Sequence, residues 1–521
     1  MTKTISARAL RALWTEGREV ALFDVREEGP FADAHPLFAV SLPVSEIEQK
    51  LPPLVPRLSA PIVVYDDGEG YAARAAKRIT ALGYSDVAIL DGGLAAYAKV
   101  GEVYRDVNVP SKAFGELVES IKHTPSLPAR EVKEILDTEQ DVAVVDARRF
   151  EEFNTMSIPR GRSLPGGELV YRIHDIAPSP DTLVIVNCAG RTRSIIGAQS
   201  LLNAGVPNPV VALRNGTIGW TLEGLELETR QTAKVSEPST QARAQARERA
   251  TAWARHVGVP VIGAAELERY RAETEERTLY TLDVRDPDEY ARGHPAGFAA
   301  APGGQLVQAA DEWLGVRGAR VVLYDDDGVR GRMAASWLFQ MGWDVSVLAE
   351  DAVLSDVLPQ PWFAQPNLPE EPSVTVSELQ ALADATVVDL ARSPVYHKGH
   401  IPGAWFASGP ELARDLAGLP GTGPVILTSP DGTIAAANLS EARSAVSRDV
   451  LLLGEGTAAW TKAGLALETE PRWLSEPIDV YKRPYEGTDN ARANMQGYID
   501  WELQLVAQLA NDGVSRFRVA R

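Results

Sequence analysis

TLVIVNCAGRTRSIIGAQSL, residues 182–201, decides how the rest of the chain is read. Its first part is an unbroken apolar run, the composition of a strand covered on both faces within a parallel sheet. A polar loop, CAGRTRS, follows, and then a stretch with helical spacing of its apolar residues. The same strand, loop and helix pattern returns as PIVVYDDGEGYAARAAKRI (61–79), RVVLYDDDGVRGRMAASWL (320–338) and PVILTSPDGTIAAANLSEA (424–442). Upstream of each lies a second short apolar run ending in Asp: ALFDVR (21–26), AVVDAR (143–148), YTLDVR (280–285) and TVVDLAR (386–392).

The spacing makes this a repeat. Asp24 to Asp66, Asp146 to Cys188 and Asp283 to Asp325 each span 42 positions, and Asp389 to Ser429 spans 40. Gly83, Gly205 and Gly342 each fall 17 positions after the loop residue. A glycine turn and an aromatic follow in DGGLAAY, NGTIGW and EGTAAW, ending at Tyr97, Trp220 and Trp460, whereas the third copy has EDAVLSDV. Four copies of one α/β unit account for this register, each a parallel β-sheet flanked by helices. The copies are placed at 1–105, 125–230, 258–358 and 373–471, with a C-terminal helical extension at 472–521. Linkers are read from composition at 104–128, at the polar, helix-favouring 236–258, and at the Pro-rich 357–373. Within the extension, ARANMQGYIDWELQLVAQL (491–509) has the pattern of an amphipathic helix that packs against the domains.

A length of 521 residues exceeds what one core supports, in keeping with several domains. Apolar residues at 45% and charged residues at 24% are ordinary for a globular protein. The formal charge of −19 argues against nucleic acid and anionic membrane surfaces as partners. No secretory signal or membrane span is read, and cytoplasm is the expected location. One cysteine excludes an internal disulfide and a Cys-based zinc site. The histidines are scattered, and no phosphate-binding glycine motif follows a strand, so no cofactor is expected.

The chemistry therefore concentrates at Cys188 and its loop, Ala189, Gly190, Arg191, Thr192, Arg193 and Ser194. A loop between a strand and a helix N-terminus turns successive backbone N–H groups inward and makes an anion cradle. Gly190 is expected to give the turn its backbone freedom. Arg191 and Arg193 are expected to add two positive charges and, with the helix terminus, to hold Cys188 as a thiolate near neutral pH. Such a thiolate is a nucleophile suited to a small anionic substrate.

The Asp-x-Arg strand ends, the cysteine loop and the fourfold repeat resemble rhodanese domains over nearly the whole chain. The resemblance implies transfer of sulfane sulfur from thiosulfate to cyanide or another thiophilic acceptor, a protein thiol among them, through a cysteine persulfide. It assigns Cys188 as the sulfur carrier, the loop from Ala189 to Ser194 as the substrate cradle, and Asp146 with Arg148 as loop support. Two features depart from the family. Its His-x-x-Gly-Ala segment is MSIPRGRS (156–163) here, though GHIPGA (399–404) survives in the fourth copy. Two-domain mitochondrial relatives carry a substrate-binding Arg where this chain has Glu152.

Asp66, Asp325 and Ser429 stand where Cys188 does, so the other three copies are expected to be inactive, the carboxylates among them having the wrong sign to receive an anion. Three rival readings remain beside this one. 3-Mercaptopyruvate is a second donor, though relatives using it tend to have a neutral loop. A persulfide carrier would hand sulfur to a dedicated partner without free turnover. A phosphatase or arsenate reductase would need Cys-x5-Arg, and here Arg193 comes one position too early.

Overall fold

The computed structural model describes residues 3–352, 363 and 371–521. The greater part of EDAVLSDV, the end of the third copy's expected span at 358 and most of the Pro-rich 357–373 stretch lie outside the described residues. The chain divides into two compact units. One gathers Met1–Leu10, Val20–Val107 and Phe363–Tyr481, and with them the first and fourth repeats. The other gathers Arg11–Glu19, Asn108–Trp362 and Lys482–Arg521: the second and third repeats and the end of the chain.

In the second unit, the sheet of the second repeat consists of β1 (Ser126–Leu127), β2 (Val142–Asp146), β3 (Gly161–Ser163), β4 (Leu183–Asn187) and β5 (Val210–Leu213). Its order is β1-β5-β4-β2-β3, and every pair is parallel. The apolar runs sit where they do because both faces are covered. Val145, Val184 and Val186 belong to one core cluster, while their neighbours Val144 and Ile185 belong to another on the opposite face. The third repeat uses the same order: Val261–Ile262, Asp344–Leu348, Arg320–Tyr324, Leu279–Asp283 and Ala299–Ala300. So do the two sheets of the first unit, the fourth repeat among them.

Six helices matter for the site: α1 (Val109–Lys122), α2 (Phe150–Thr155), α3 (Thr192–Asn203), α4 (Gly216–Leu222), α5 (Thr240–Val257) and, in the extension, α6 (Arg492–Glu502). Helix α5 is the helix-favouring bridge read from 236–258. Its alanines at 242, 246 and 250 recur every four residues and are buried, and Ser239 caps its first turn by accepting from the Ala242 N–H at 3.2 Å. Trp253 on this helix donates to Ser336 at 3.1 Å, and Trp337 donates to Ser200 at 2.9 Å, which ties the second and third repeats together.

Two expectations change. The stretch 104–128 was read as a linker, but 14 of its residues form α1, started by a Pro in the first turn and burying Val109, Ala113, Phe114 and Val118. The amphipathic stretch 491–509 is two helices, α6 and then Leu505–Asp512.

Candidate active site

Strand β4 ends at Asn187, and α3 begins at Thr192, so Cys188 to Arg191 form a four-residue turn between them. Asp146, at the end of β2, holds that junction from beside it. Its carboxylate accepts from Arg148 Nε at 2.8 Å and Nη2 at 2.7 Å, and from the Asn187 side-chain amide at 2.7 Å. Arg148 reaches on to the Met156 carbonyl at 2.6 Å, so one buried ion pair pins three segments around the loop. The first and third repeats keep the same fork between Arg26 and Asp24 and between Arg285 and Asp283. In the fourth, Leu390 and Ala391 separate the charges by one more residue, and Arg392 pairs with Glu28 instead.

The turn is closed by α4. Thr217 N–H donates to the Cys188 carbonyl at 2.9 Å and Ile218 N–H to the Ala189 carbonyl at 3.0 Å. Gly216 has φ +53°, and a Cβ there would overlap the Cys188 carbonyl oxygen. Gly93 and Gly456 bear the same relation to Asp66 and Ser429. This close approach explains the glycine turns of DGGLAAY, NGTIGW and EGTAAW.

Gly190 has a different role from the one expected. Its φ is not positive, so the turn does not need its backbone freedom. What it allows is close packing: a Cβ at this position would lie 3.1 Å from Tyr498 Cε1 and 3.4 Å from Glu502 Oε2, both on α6. Gly115 does the same for α1, where a Cβ would lie 2.7 Å from the Thr192 methyl.

Neither arginine of the loop brings an unopposed charge. Arg191 is gripped by Glu116 of α1 at 2.7 and 2.8 Å and donates to Asn215 at 3.1 Å. Arg193 is gripped by Glu152 of α2 at 2.7 and 2.9 Å. Glu152, which stands in place of the family's arginine, is thus the partner of the arginine that lies within range of the thiol. Burial alone would push the Glu152 carboxyl up, but the charge and hydrogen bonds of Arg193 hold it down at about 2.

The thiolate expectation is also corrected. Cys188 is 1% exposed, and its thiol donates to Ser194 Oγ at 3.4 Å while that hydroxyl donates to the Arg191 carbonyl at 2.9 Å. Burial pushes the thiol above its ordinary value, and it outweighs the opposing pull of Arg193 and of the Ser194 hydroxyl and N–H. The local sequence shows the cations but not the low-dielectric surroundings or their paired carboxylates.

A cleft of about 270 Å³, counting its open mouth, is lined by Cys188, Gly190 to Arg193, Lys112, Gln308, Tyr485, Tyr498 and Glu502. The loop residues assigned from sequence therefore come together, with Ala189 and Ser194 buried just behind. Sequence reasoning missed Lys112, Glu116, Tyr485, Tyr498 and Glu502. Lys112 Nζ lies 5.5 Å from the ring centre of Tyr485, 5.3 Å from Tyr498 and 5.7 Å from Trp501, within cation–π range.

In the other copies the cradle is filled by its own first residue. Asp66 accepts from the Ala72 N–H at 2.9 Å, and Asp325 accepts from the Val329 and Gly331 N–H groups, both at 2.9 Å. Ser429 Oγ accepts from the Ala435 N–H at 3.3 Å. Ala72, Gly331, Ala435 and Ser194 occupy the same register, six positions after the loop residue. The acidic residues were expected to repel an anion; their own carboxyl groups occupy the cradle, and burial beside Asp327 pushes that of Asp325 well above the usual carboxylate range.

Among the described residues no helix is long and apolar enough to cross a membrane. The rhodanese-like domain model matches residues 6–100, 128–223 and 264–352. A crystal structure of thiosulfate sulfurtransferase from Pseudomonas aeruginosa is 50% identical, covers 100% of both chains and superposes with a TM-score of 0.96. A rhodanese-like domain protein from Staphylococcus aureus is 26% identical over 21% of this chain and 100% of its own, with a TM-score of 0.18 that carries no argument. Among curated proteins, none matches. With three matched segments covering more than half of its length and a full-length structural counterpart, the chain belongs to the rhodanese family.

Proposed function

We propose that the protein is a thiosulfate sulfurtransferase that carries sulfane sulfur on Cys188. The observation that carries this reading is the placement of the chain's one cysteine: at a strand end, with the N-terminal turn of α3 around its sulfur and a cleft in front of it. The resemblance in full length to a thiosulfate sulfurtransferase supports the donor.

The reaction runs in two displacements. Cys188 gives up its proton to solvent through the open mouth of the cleft, and the resulting thiolate attacks the outer sulfur of thiosulfate. A new S–S bond forms as the S–S bond of thiosulfate breaks, and the electron pair leaves with sulfite. An acceptor such as cyanide or a thiol then attacks the outer sulfur of the persulfide, and the pair returns to Cys188 Sγ. Because burial disfavours the resting thiolate, the charge of Arg193 and the Ser194 N–H serve best once a persulfide, which extends toward the cleft, carries the negative charge. Asp146 and Arg148 hold the loop and do not touch the sulfur. The repeats bearing Asp66, Asp325 and Ser429 lack the thiol and act as scaffold.

Intact-protein mass spectrometry after mixing with thiosulfate, beside a Cys188→Ser control, tests this. A gain of one sulfur atom, removed by cyanide with thiocyanate released and absent from the control, is the expected result. Failure to load from thiosulfate refutes the reading. Loading without turnover on small acceptors would identify a carrier in place of a free-standing enzyme.

A further inference from the structure

The third repeat lacks a thiol, yet it supplies one wall of the Cys188 cleft through Gln308, the last residue of a short helix, Gly303–Gln308. The second and third repeats correspond without a gap from Asp146 and Asp283 onward: Cys188 with Asp325, Arg193 with Arg330, and PGGELVY (165–171) with PGGQLVQ (302–308). The two glycine-rich segments meet reciprocally. A Cβ on Gly167 would lie 2.6 Å from the Gly304 nitrogen, and one on Gly304 would lie 2.6 Å from the Gly167 nitrogen. Reciprocal contacts of this kind mark a local twofold, across which each repeat offers the same stretch of chain to its neighbour.

What the two repeats offer differs. To the third cradle the second repeat brings Glu168, paired with Arg330 at 3.0 Å, and Tyr171, whose ring centre lies 4.6 Å from the Arg330 guanidinium. Arg330 is fully buried beneath them. At the corresponding positions the third repeat has Gln305 and Gln308, neither an acid nor a ring. Gln308 is half-buried, and among the described residues its side-chain amide has no hydrogen-bond partner. An amide with donors to spare in the cleft that holds the thiol is placed to meet a ligand.

We propose that Gln308 is a substrate-binding residue: its amide donates to the sulfonate oxygens of the sulfur donor, so that a repeat without a thiol completes the active site of its neighbour. The assignment rests on the thiosulfate sulfurtransferase reading above. The outer sulfur of thiosulfate has to meet Cys188, which leaves the sulfonate against the cleft walls. Arg191 is already held by Glu116 and Asn215, and Arg193 by Glu152. The Gln308 N–H groups add donors that no carboxylate of the protein competes for. They stay with the same oxygens as the S–S bond breaks and sulfite forms. A donor that lacks a sulfonate gives them nothing to hold.

The test compares two donors with the same transferable sulfur: thiosulfate, and an alkyl hydropersulfide, which has no sulfonate. The quantity is the second-order rate constant for loading Cys188, followed by intact mass in the full-length protein. In Gln308→Leu the ratio of the thiosulfate constant to the hydropersulfide constant falls about tenfold or more, the weight of a hydrogen bond to a charged group. In Gln308→Glu, which sets a carboxylate against the sulfonate, it falls further. Sulfite, tested as an inhibitor of thiosulfate loading, weakens alongside in both variants. An unchanged ratio in Gln308→Leu overturns the assignment, and so does an equal loss with both donors, which would mean that Gln308 only supports the cleft wall. A wild type that does not load from thiosulfate refutes the sulfurtransferase reading and this assignment together, whereas wild-type loading with an unchanged ratio in the variants refutes the assignment alone.

Discussion

Replacing Glu152 by Gln separates the two things this residue does: hold the fold and restrain a charge. The pair it forms with Arg193 is bidentate, and the side chains are 30% and 10% exposed. Breaking a buried pair by removing one partner costs roughly 3–5 kcal/mol. Partial exposure of Glu152 and the hydrogen bond that Gln retains reduce this to about 2 kcal/mol. The carboxyl is held at about 2 in the folded chain, below its ordinary value of 4.5. Its contribution is therefore complete above the ordinary value and is lost as pH falls through about 2. Calorimetry at neutral pH should show the transition of the unit that contains Cys188 lowered by about 4 °C. The gap from the wild type should narrow as pH falls from 4.5 toward 2. At the same time Arg193, freed from its partner, should lower the thiol pKa, so that the midpoint of iodoacetamide labelling moves to lower pH. An unchanged transition temperature together with an unchanged labelling midpoint would refute the reasoning, because it would mean the pair neither holds α2 to the loop nor offsets the charge near Cys188.

Three other outcomes are expected. Gly216→Ala forces a side chain into φ +53° and against the Cys188 carbonyl, so it should destabilise by about 3 kcal/mol or more and abolish sulfur loading, as read by urea unfolding and mass. Asp325→Cys should gain no sulfur from thiosulfate, because Asp326 and Asp327 remain in the loop and Arg330 stays bound to Asp327 and Glu168; a mass gain in a Cys188→Ser background would contradict this. Burial raises the Asp389 carboxyl to about 6, above its unfolded value, so its ionisation works against the fold as pH climbs from about 4 to 6. Asp389→Asn should accordingly stabilise the first unit by about 1–2 kcal/mol above that range and by little below it, as urea unfolding at two pH values would show.

The fourfold repeat was legible because its signature is local: an apolar strand, a loop residue and a closing glycine turn in fixed register. Even Gly216, Gly93 and Gly456 announced themselves, since close approach to a carbonyl admits no other residue. The pairing of the first repeat with the fourth and of the second with the third was not legible, because the four copies offer one another surfaces of the same kind. Helix α1 was hidden by the Pro, Ser and Lys of its opening, which read as linker. Cys188 and its loop line one cleft, and Asp146, bonded to Arg148 and Asn187, lies beside the strand end that leads into the loop. The electrostatics were misjudged for one reason throughout: Glu116, Glu152 and Glu502 approach the loop from 72, 36 and 314 positions away, and local sequence displays the arginines without their partners.

The cover over Cys188 has a consequence for the order in which the molecule is completed. The loop is finished once α4 has closed on it, but Tyr485, Tyr498 and Glu502 come after two further repeats. A chain emerging from the ribosome thus presents its only thiol in a folded yet uncovered loop while the third and fourth repeats are still being made. Loss of the last segment by truncation or cleavage would restore that state in the mature protein. The Cys188 loop would remain intact, but the wall in front of it would be gone.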